Sequence, residues 1–227
     1  MTEVEESTLY LVPTPIGNLE DITLRALEIL KQVDIIACED TRHSMKLLNH
    51  HGIKKRLIAY HSYNEKNSAS GIVKLLGEGK SIALISDGGS PCISDPGYPL
   101  VNECIKAGIN IIALPGPTAF VPVLSVSGFR TDIFYFSGFL SCKSGKRKNE
   151  LTELAHIKGT LIVYEGPHRI LKLMDDILQI FPEKNVCIGK EISKINEKIY
   201  RGKPSDLIKE LESDKILGEF VVLIANY

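Results

Sequence analysis

A carboxylate followed by two glycines and a hydroxyl, Asp87-Gly88-Gly89-Ser90, is the stretch of this chain best suited to hold a small molecule. Paired glycines reach backbone conformations closed to other residues and let a ligand come close to main-chain N–H groups. In isolation such a sequence is more often a tight turn that needs its glycines for shape alone. Its surroundings favour the ligand. The preceding run, Ile82-Ala83-Leu84-Ile85, is short, apolar and uncharged, as a strand covered on both faces is. A loop at the carboxyl end of a buried strand sits where open α/β sheets bind small molecules. Two more polar clusters end strand-like runs: Glu39-Asp40-Thr41-Arg42-His43 after Asp34 to Cys38, and His61-Ser62-Tyr63-Asn64-Glu65 after Leu57 to Tyr60.

The elements that must carry these loops alternate. Leu9 to Val12 reads as a first strand, followed by the rigid loop Pro13-Thr14-Pro15-Ile16-Gly17-Asn18. Asp21 is placed to cap a helix whose apolar positions Ile22, Ala26, Ile29, Leu30 and Val33 follow the helical repeat. Helices are expected from Ser44 to Asn49, Ser68 to Leu76 and Pro99 to Ala107, stopped by Gly52, Gly77 and Gly108, with a strand from Asn110 to Leu114. Strands and helices at this spacing imply a mostly parallel α/β sheet. Pro115-Gly116-Pro117 interrupts the rhythm and is expected to join two α/β domains, 1–116 and 117–227. The second half opens on a helix from Thr118 to Ser125. It continues with strands Phe134 to Ser137, Thr160 to Tyr164, Val186 to Lys190, Lys198 to Arg201 and Phe220 to Ala225. The helices among them are Arg147 to His156, His168 to Ile180 and Pro204 to Leu211.

Composition narrows the function. With 227 residues, 44% of them hydrophobic, and a formal net charge of -1, the chain resembles an ordinary globular protein and not one that coats nucleic acid non-specifically. Five cysteines, none in a C-x-x-C pair, fit reduced thiols better than a disulfide framework or a structural zinc site. Acidic residues stand near the N-terminus where a signal peptide would be basic, and no apolar run reaches membrane-spanning length, so a cytoplasmic protein is expected. There is no phosphate-cradling G-x-x-x-x-G-K-[ST], no complete dinucleotide fingerprint and no H-E-x-x-H, so no metal is expected.

Six motifs in order resemble one family: L-V-P-T-P-I-G-N-L-x-D-I-T-x-R-A (Leu11 to Ala26), E-D-T-R-H (Glu39 to His43), S-D-G-G-S-P-x-I-S-D-P-G-Y (Ser86 to Tyr98), P-G-P-T-A (Pro115 to Ala119), Y-E-x-P-H-R (Tyr164 to Arg169) and G-K-E-I-S-K-x-x-E (Gly189 to Glu197). They are similar to the ribosomal RNA small subunit methyltransferase I group of the tetrapyrrole-methylase superfamily, whose members methylate a cytidine 2′-hydroxyl in 16S rRNA. The resemblance implies a homodimer of two α/β domains with an interdomain cleft for S-adenosyl-L-methionine, and 16S rRNA or the small ribosomal subunit as partner. It assigns the cofactor to Leu11, Pro15, Asp87, Gly88, Gly89, Ser90, Ile93, Thr118, Ala119, Tyr164 and Pro167. Such a cofactor wants apolar walls, backbone hydrogen bonds and one carboxylate. On the residues alone, Thr118 and Ala119 read equally as a helix start after a turn, and Tyr164 as a core aromatic at a strand end. Two departures stand out. The central loop reads D-G-G-S-P where D-A-G-T-P is usual, and the sequence ends at Tyr227 where many relatives continue, which points to a short form of the family or a weaker RNA grip.

Methyl transfer to a ribose hydroxyl needs an oxygen aligned with the sulfonium methyl and relieved of its proton. Glu39, Asp40, Glu165 and Glu191 are the carboxylates in or beside the motifs, and Lys190 or Lys194 would serve if its pKa were lowered; each also reads as a surface ion-pair member. Cations for phosphates are expected from Arg42 and His43, from a loop bearing Lys143, Lys146, Arg147 and Lys148, and from Arg169. Two other readings stay open: methylation of a small molecule such as a tetrapyrrole, and a non-catalytic α/β protein that binds a nucleotide-like ligand.

Overall fold

The central strands of the first half are short runs of largely apolar residues between polar loops, and burial on both faces follows, while the two edge strands, which begin at Arg56 and Asn110, are half-exposed. A computed structural model describes residues 3–62 and 65–227, apart from the side chains of 65–67. The chain divides into two compact units, Met1–Thr118 and Ala119–Tyr227. The division falls just after Pro115-Gly116-Pro117. Among the described residues there are ten strands and eight helices.

In the first unit the strands are β1 (Thr8–Leu11), β2 (Ile35–Cys38), β3 (Arg56–Ala59), β4 (Ile82–Ile85) and β5 (Asn110–Ala113). They form one parallel sheet in the order β3-β2-β4-β1-β5, with Leu9 opposite Ile82 and Cys38 opposite Ile85. The helices α1 (Leu24–Gln32), α2 (Thr41–His50), α3 (Glu65–Gly77) and α4 (Tyr98–Lys106) cover it. Alternate residues point to opposite faces. Tyr10, Val12, Ile36, Ala83 and Ile85 pack with Ala26, Ile29 and Leu30 of α1, while Leu9, Ile35, Ile82 and Leu84 pack with Ile72 of α3 and Leu100 of α4. Ile82, Leu84 and Ile85 are each at most 2% exposed, and such a side chain contributes about 1.5–3 kcal/mol on burial.

Local capping corrects two boundaries. Asp21 does not cap α1: it ends a 3-10 turn, Leu19–Asp21, capped by Asn18, and Thr23 accepts from Ala26 N at 3.0 Å to start the helix. Helix α2 begins at Thr41, earlier than periodicity suggested, because Asp40 accepts from Arg42 N at 2.8 Å and His43 N at 3.3 Å. Tyr63 and Asn64 of the second polar cluster lie outside the described residues.

The second unit holds β6 (Phe134–Phe139), β7 (Gly159–Glu165), β8 (Val186–Lys190), β9 (Lys198–Gly202) and β10 (Phe220–Asn226). Their order is β6-β7-β10-β8-β9, with β6 parallel to β7 and the other pairs antiparallel. The helices are α5 (Phe120–Ser127), α6 (Ser144–Leu154), α7 (Ile170–Ile180) and α8 (Pro204–Glu212). Leu151 of α6, Leu173 and Ile177 of α7 and Leu207 of α8 share one core with Leu161, Val163, Ile188, Tyr200 and Val222 of the sheet. Helix α5 lies on the sheet through Val123, so close to Gly189 that a Cβ there would fall 2.4 Å from a Val123 methyl.

Candidate active site

Three loops meet at the carboxyl edge of the first sheet because their strands, β4, β1 and β5, are neighbours. The loop after β1 and the loop after β4 are joined by main chain: Thr14 N donates to Gly89 O, and Gly89 N to Thr14 O, each at 2.9 Å. Two buried hydroxyls support that bridge. Thr14 Oγ1 donates to Ser86 O at 2.9 Å and Ser86 Oγ to Gly89 O at 3.2 Å. Gly89 is required here, with φ at +101°, outside the range of other residues. Ser90 Oγ donates to Pro117 O at 2.9 Å and lies 2.7 Å from Thr118 Oγ1, which ties in the loop after β5. Asp87 Oδ1 accepts from Asp40 N at 3.2 Å, fixing the end of β2 to the same loop.

This edge brings together Leu11, Pro15, Asp87, Gly88, Gly89, Ser90, Ile93 and Thr118. Pro15 is buried, Leu11, Asp87, Ser90 and Thr118 are half-buried, and Gly88 and Ile93 are exposed. The N–H groups of Gly88 and Ser90 take no partner among the described residues. Main-chain donors, a proline wall and one carboxylate are a donor set that fits a zwitterionic nucleoside such as S-adenosyl-L-methionine.

A pocket of about 410 Å³ opens beside it, lined by Glu39, Ser62, Ser94, Asp95, Tyr98 and neighbouring prolines. Sequence reasoning had Glu39 but missed the others, although I-S-D-P-G-Y stands inside the longest motif around Asp87. Cys92 and Ser94 have φ of +71° and +65°, and Gly97 has +150°, with a would-be Cβ 2.4 Å from Cys92 Sγ. Left-handed backbone in non-glycine residues costs energy and gathers at ligand sites.

The chain matches the family described as Tetrapyrrole (Corrin/Porphyrin) Methylases over residues 8–208. It belongs to that family. Two bacterial relatives carry the name Ribosomal RNA small subunit methyltransferase I. That of Vibrio cholerae is 47% identical, covering 96% of this chain and 77% of its own length. That of Thermotoga maritima is 44% identical, covering 96% and 98%. Among solved structures, the uroporphyrin-III-C-methyltransferase of Thermus thermophilus matches with a TM-score of 0.68 at 20% identity, covering 97% of this chain and 94% of its own. The cobalt precorrin-4 methyltransferase CbiF matches with the same score at 17%, covering 96% and 94%. At such identities these two show the fold alone: this is a tetrapyrrole-methylase fold.

Within this tetrapyrrole methylase the second unit holds the remaining expected residues. Tyr164, near the end of β7, accepts from Phe120 N at 3.3 Å through its hydroxyl and packs edge-on against Phe136 and Phe139. Ala119 precedes α5, and Pro167 is half-buried beyond β7.

Several charged residues are placed otherwise than expected. Arg147 does not face phosphates: 3% exposed, its guanidinium lies 2.6 Å from Asp176, which is 5% exposed. The cationic stretch is no loop either, since Ser144 onward is α6. Lys143, just before it, and Lys146, on its first turn, remain exposed, Lys146 3.8 Å from Glu150. Arg169 is drawn in to the fully buried Glu165, at 2.7 Å, while the other oxygen of Glu165 has no partner among the described residues. Lys190 is 6% exposed and donates to Asp214 at 3.2 Å and to Lys215 O at 2.6 Å, so its ammonium is taken up by bonds within the second unit. Asp214 also accepts from Tyr200. Burial, then this carboxylate, pushes the Tyr200 hydroxyl above its ordinary range, and the bonds from Tyr200 and Lys190 hold Asp214 well below the usual carboxylate range.

The other carboxylates divide. Asp40 is spent on the α2 cap and on Arg42, 3.4 Å away; the bonds from Arg42 and His43 lower its pKa. Arg42 is otherwise exposed, as is His43. Burial raises the pKa of Glu191, but bonds from Lys194 and from Glu219 N outweigh it, and the net lowering makes Glu191 a weaker base. Glu39 alone among the expected catalytic residues lines the pocket. Among the described residues, no group of three or more His, Cys, Asp or Glu gathers to hold a metal, and no helix is long and apolar enough to cross a membrane.

Proposed function

We propose that this chain transfers the methyl group of S-adenosyl-L-methionine to the 2′-hydroxyl of a cytidine ribose in 16S rRNA. The observation that carries this reading is identity of 44–47%, over nearly the whole chain, to relatives named Ribosomal RNA small subunit methyltransferase I. The donor supplies an electrophilic methyl on a sulfonium. The chain's part is to bind and orient: Gly88 and Ser90 offer main-chain N–H groups, Pro15 and Leu11 an apolar wall, and Asp87 a carboxylate whose other role is to hold the Asp40 backbone. The resemblance assigns Ile93, Thr118, Ala119, Tyr164 and Pro167 to the donor as well. Positioning supplies much of the rate of such a transfer. Of the residues expected to meet phosphates, Arg42, His43, Lys143 and Lys146 are exposed.

The same reading makes the protein a cytoplasmic homodimer, which sedimentation at micromolar concentration checks. The central test is genetic. Loss of the gene should remove one ribose methylation from 16S rRNA by mass spectrometry, and restoring it should return the mark. An unchanged set of ribose methylations in the deletion strain overturns the proposal.

A further inference from the structure

We infer that the exposed face of α2 grips the phosphate backbone of the RNA substrate on one side of the target nucleotide. This rests on the rRNA reading above and adds to it the surface that holds the strand. The sequence around α2 is one-sided in charge. From Thr41 to Ser62 it carries Arg42, Lys46, Lys54, Lys55 and Arg56 and no aspartate or glutamate, in a protein whose net charge is -1. Buried Ser44, Leu47 and Leu48 give one side of α2 to the core, which leaves Arg42, His43, Met45, Lys46, Asn49 and His50 exposed. Arg42 and Lys46 stand about 6 Å apart along the helix axis, and His50 continues the same row. Apart from Met45, all of these side chains can donate hydrogen bonds, which is what phosphate oxygens accept.

Other surface helices of the same unit balance their cations. Lys31 of α1, Lys74 of α3 and Lys106 of α4 each have a glutamate three or four positions away, at 2.9, 3.9 and 2.7 Å. Such pairs stabilise a helix locally. Lys46, Lys54 and Arg56 form no ion pair among the described residues, and Arg42 meets Asp40 at 3.4 Å with its side chain still 88% exposed. Arg42 also stands in the first turn of α2, where the helix dipole disfavours a cation. Charges that neither pair locally nor favour their own helix are complementary to an outside polyanion.

The face begins at the candidate site. Asp40, which caps α2, donates its N–H to Asp87 of the donor loop at 3.2 Å, and the helix carries the cations about 15 Å away from there. Lys54 and Arg56 follow the turn at its far end, where β3 starts as an edge strand of the sheet. Contacts of this kind position a strand without reading its bases, so α2 sets the register of the RNA and leaves sequence to other groups.

Two measurements test this, one independent of activity. A short, labelled single-stranded oligoribonucleotide is titrated with the full chain at several salt concentrations. Lys46→Ala should lower the slope of log K against log salt by roughly 0.7, one phosphate on a single strand, and weaken binding roughly 5-fold at about 0.1 M salt. Arg42→Ala with Lys46→Ala should double the change in slope, and Lys46→Arg should restore it. Lys74→Ala and Lys106→Ala, which remove locally paired cations, should leave it unchanged. In the second measurement, small ribosomal subunits from a strain lacking the gene are methylated by the same proteins. Lys46→Ala should raise KM by a similar factor with kcat and the donor Kd unchanged, because a phosphate contact is made equally before and during methyl transfer. An unaltered salt slope in both Lys46→Ala and the double variant overturns the inference and leaves the rRNA reading standing. Wild-type binding to phosphatidylserine vesicles that Lys46→Ala abolishes, with RNA binding untouched, also overturns it and gives the face to a membrane surface. A wild-type protein whose RNA binding depends on Lys46 but which methylates no subunit overturns the rRNA reading and leaves the cationic face standing. Circular dichroism of each variant separates misfolding from lost grip.

Discussion

Replacing Asp176 with alanine probes the placement of Arg147 most directly. The carboxylate accepts from Arg147 Nε at 2.7 Å, and the nearest other acceptor for the guanidinium is Lys172 O at 3.5 Å. Both side chains are nearly inaccessible, so Asp176→Ala strands a cation in an apolar core at a cost of about 3–5 kcal/mol. For a domain of roughly a hundred residues each kcal/mol moves the midpoint by about 4 °C, so the second unit should melt on the order of 12–20 °C lower. Two units need not unfold together. The melt is therefore followed by far-ultraviolet circular dichroism alongside hydrogen exchange of the β7 amides, which report on the second unit's core. The double variant Arg147→Met with Asp176→Leu should recover most of the loss, because apolar side chains of similar volume often replace a buried pair without penalty. An RNA arm completes the test. Lys146→Ala should lower the salt dependence of RNA binding by roughly 0.7–0.9 for each phosphate it had neutralised, whereas Arg147→Met should leave it alone. An Asp176→Ala protein that melts within about 2 °C of wild type, together with an Arg147→Met protein whose RNA binding has a flatter salt dependence, would refute the buried pairing.

Other perturbations follow from the same geometry. Asp87→Ala removes the acceptor for Asp40 N and should weaken S-adenosyl-L-methionine binding in calorimetry by more than it lowers the melting temperature; normal binding in an early-melting protein would turn that loop into scaffold. Gly218→Ala places a Cβ 2.0 Å from the Glu191 carboxyl, so it should displace Glu191 from Lys194 and destabilise the second unit by roughly 1–3 kcal/mol in urea titration, with Glu191→Ala relieving part of the loss. Tyr200 gives a pH test. Its folded pKa is raised above the ordinary value of 10.0, so its contribution is fully present below that pH and is lost as pH climbs towards the higher folded value. Asp214 is the mirror case: its lowered pKa contributes above the ordinary carboxylate value of 3.8 and fades as pH falls below it. Urea midpoints that fall at both extremes, with the alkaline fall reduced in Tyr200→Phe, match this pairing; a flat profile contradicts it.

The central strands were legible because each is a short apolar run flanked by glycine, proline or polar residues, and burial on two faces leaves that imprint directly. The loop at Asp87 was legible for a similar local reason. Hidden were features that depend on residues far apart. Nothing around Arg147 in the chain announces Asp176, 29 positions away, so a basic run read as a solvated loop became the first turn of a helix with one guanidinium in the core. The bonds of Lys190 were hidden in the same way, since Asp214 and Lys215 lie elsewhere in the sequence. The capping errors were local but ambiguous: Asn18, Asp21 and Thr23 are all residue types that can cap, and only the backbone selects Thr23 for α1.

The Thr14–Gly89 pairing explains how the unusual letters of the central loop can be neutral. Its hold is written in peptide groups, which any substitution but proline retains, and in hydroxyls that threonine supplies as well as serine. At Gly88 an added methyl would meet Pro15 O at 3.3 Å, a crowding that a shift of a few tenths of an ångström relieves. Gly89 itself, bent at +101°, has no such latitude. A lineage can thus exchange alanine for glycine at the first position and threonine for serine at the third while the main-chain bridge is inherited unaltered.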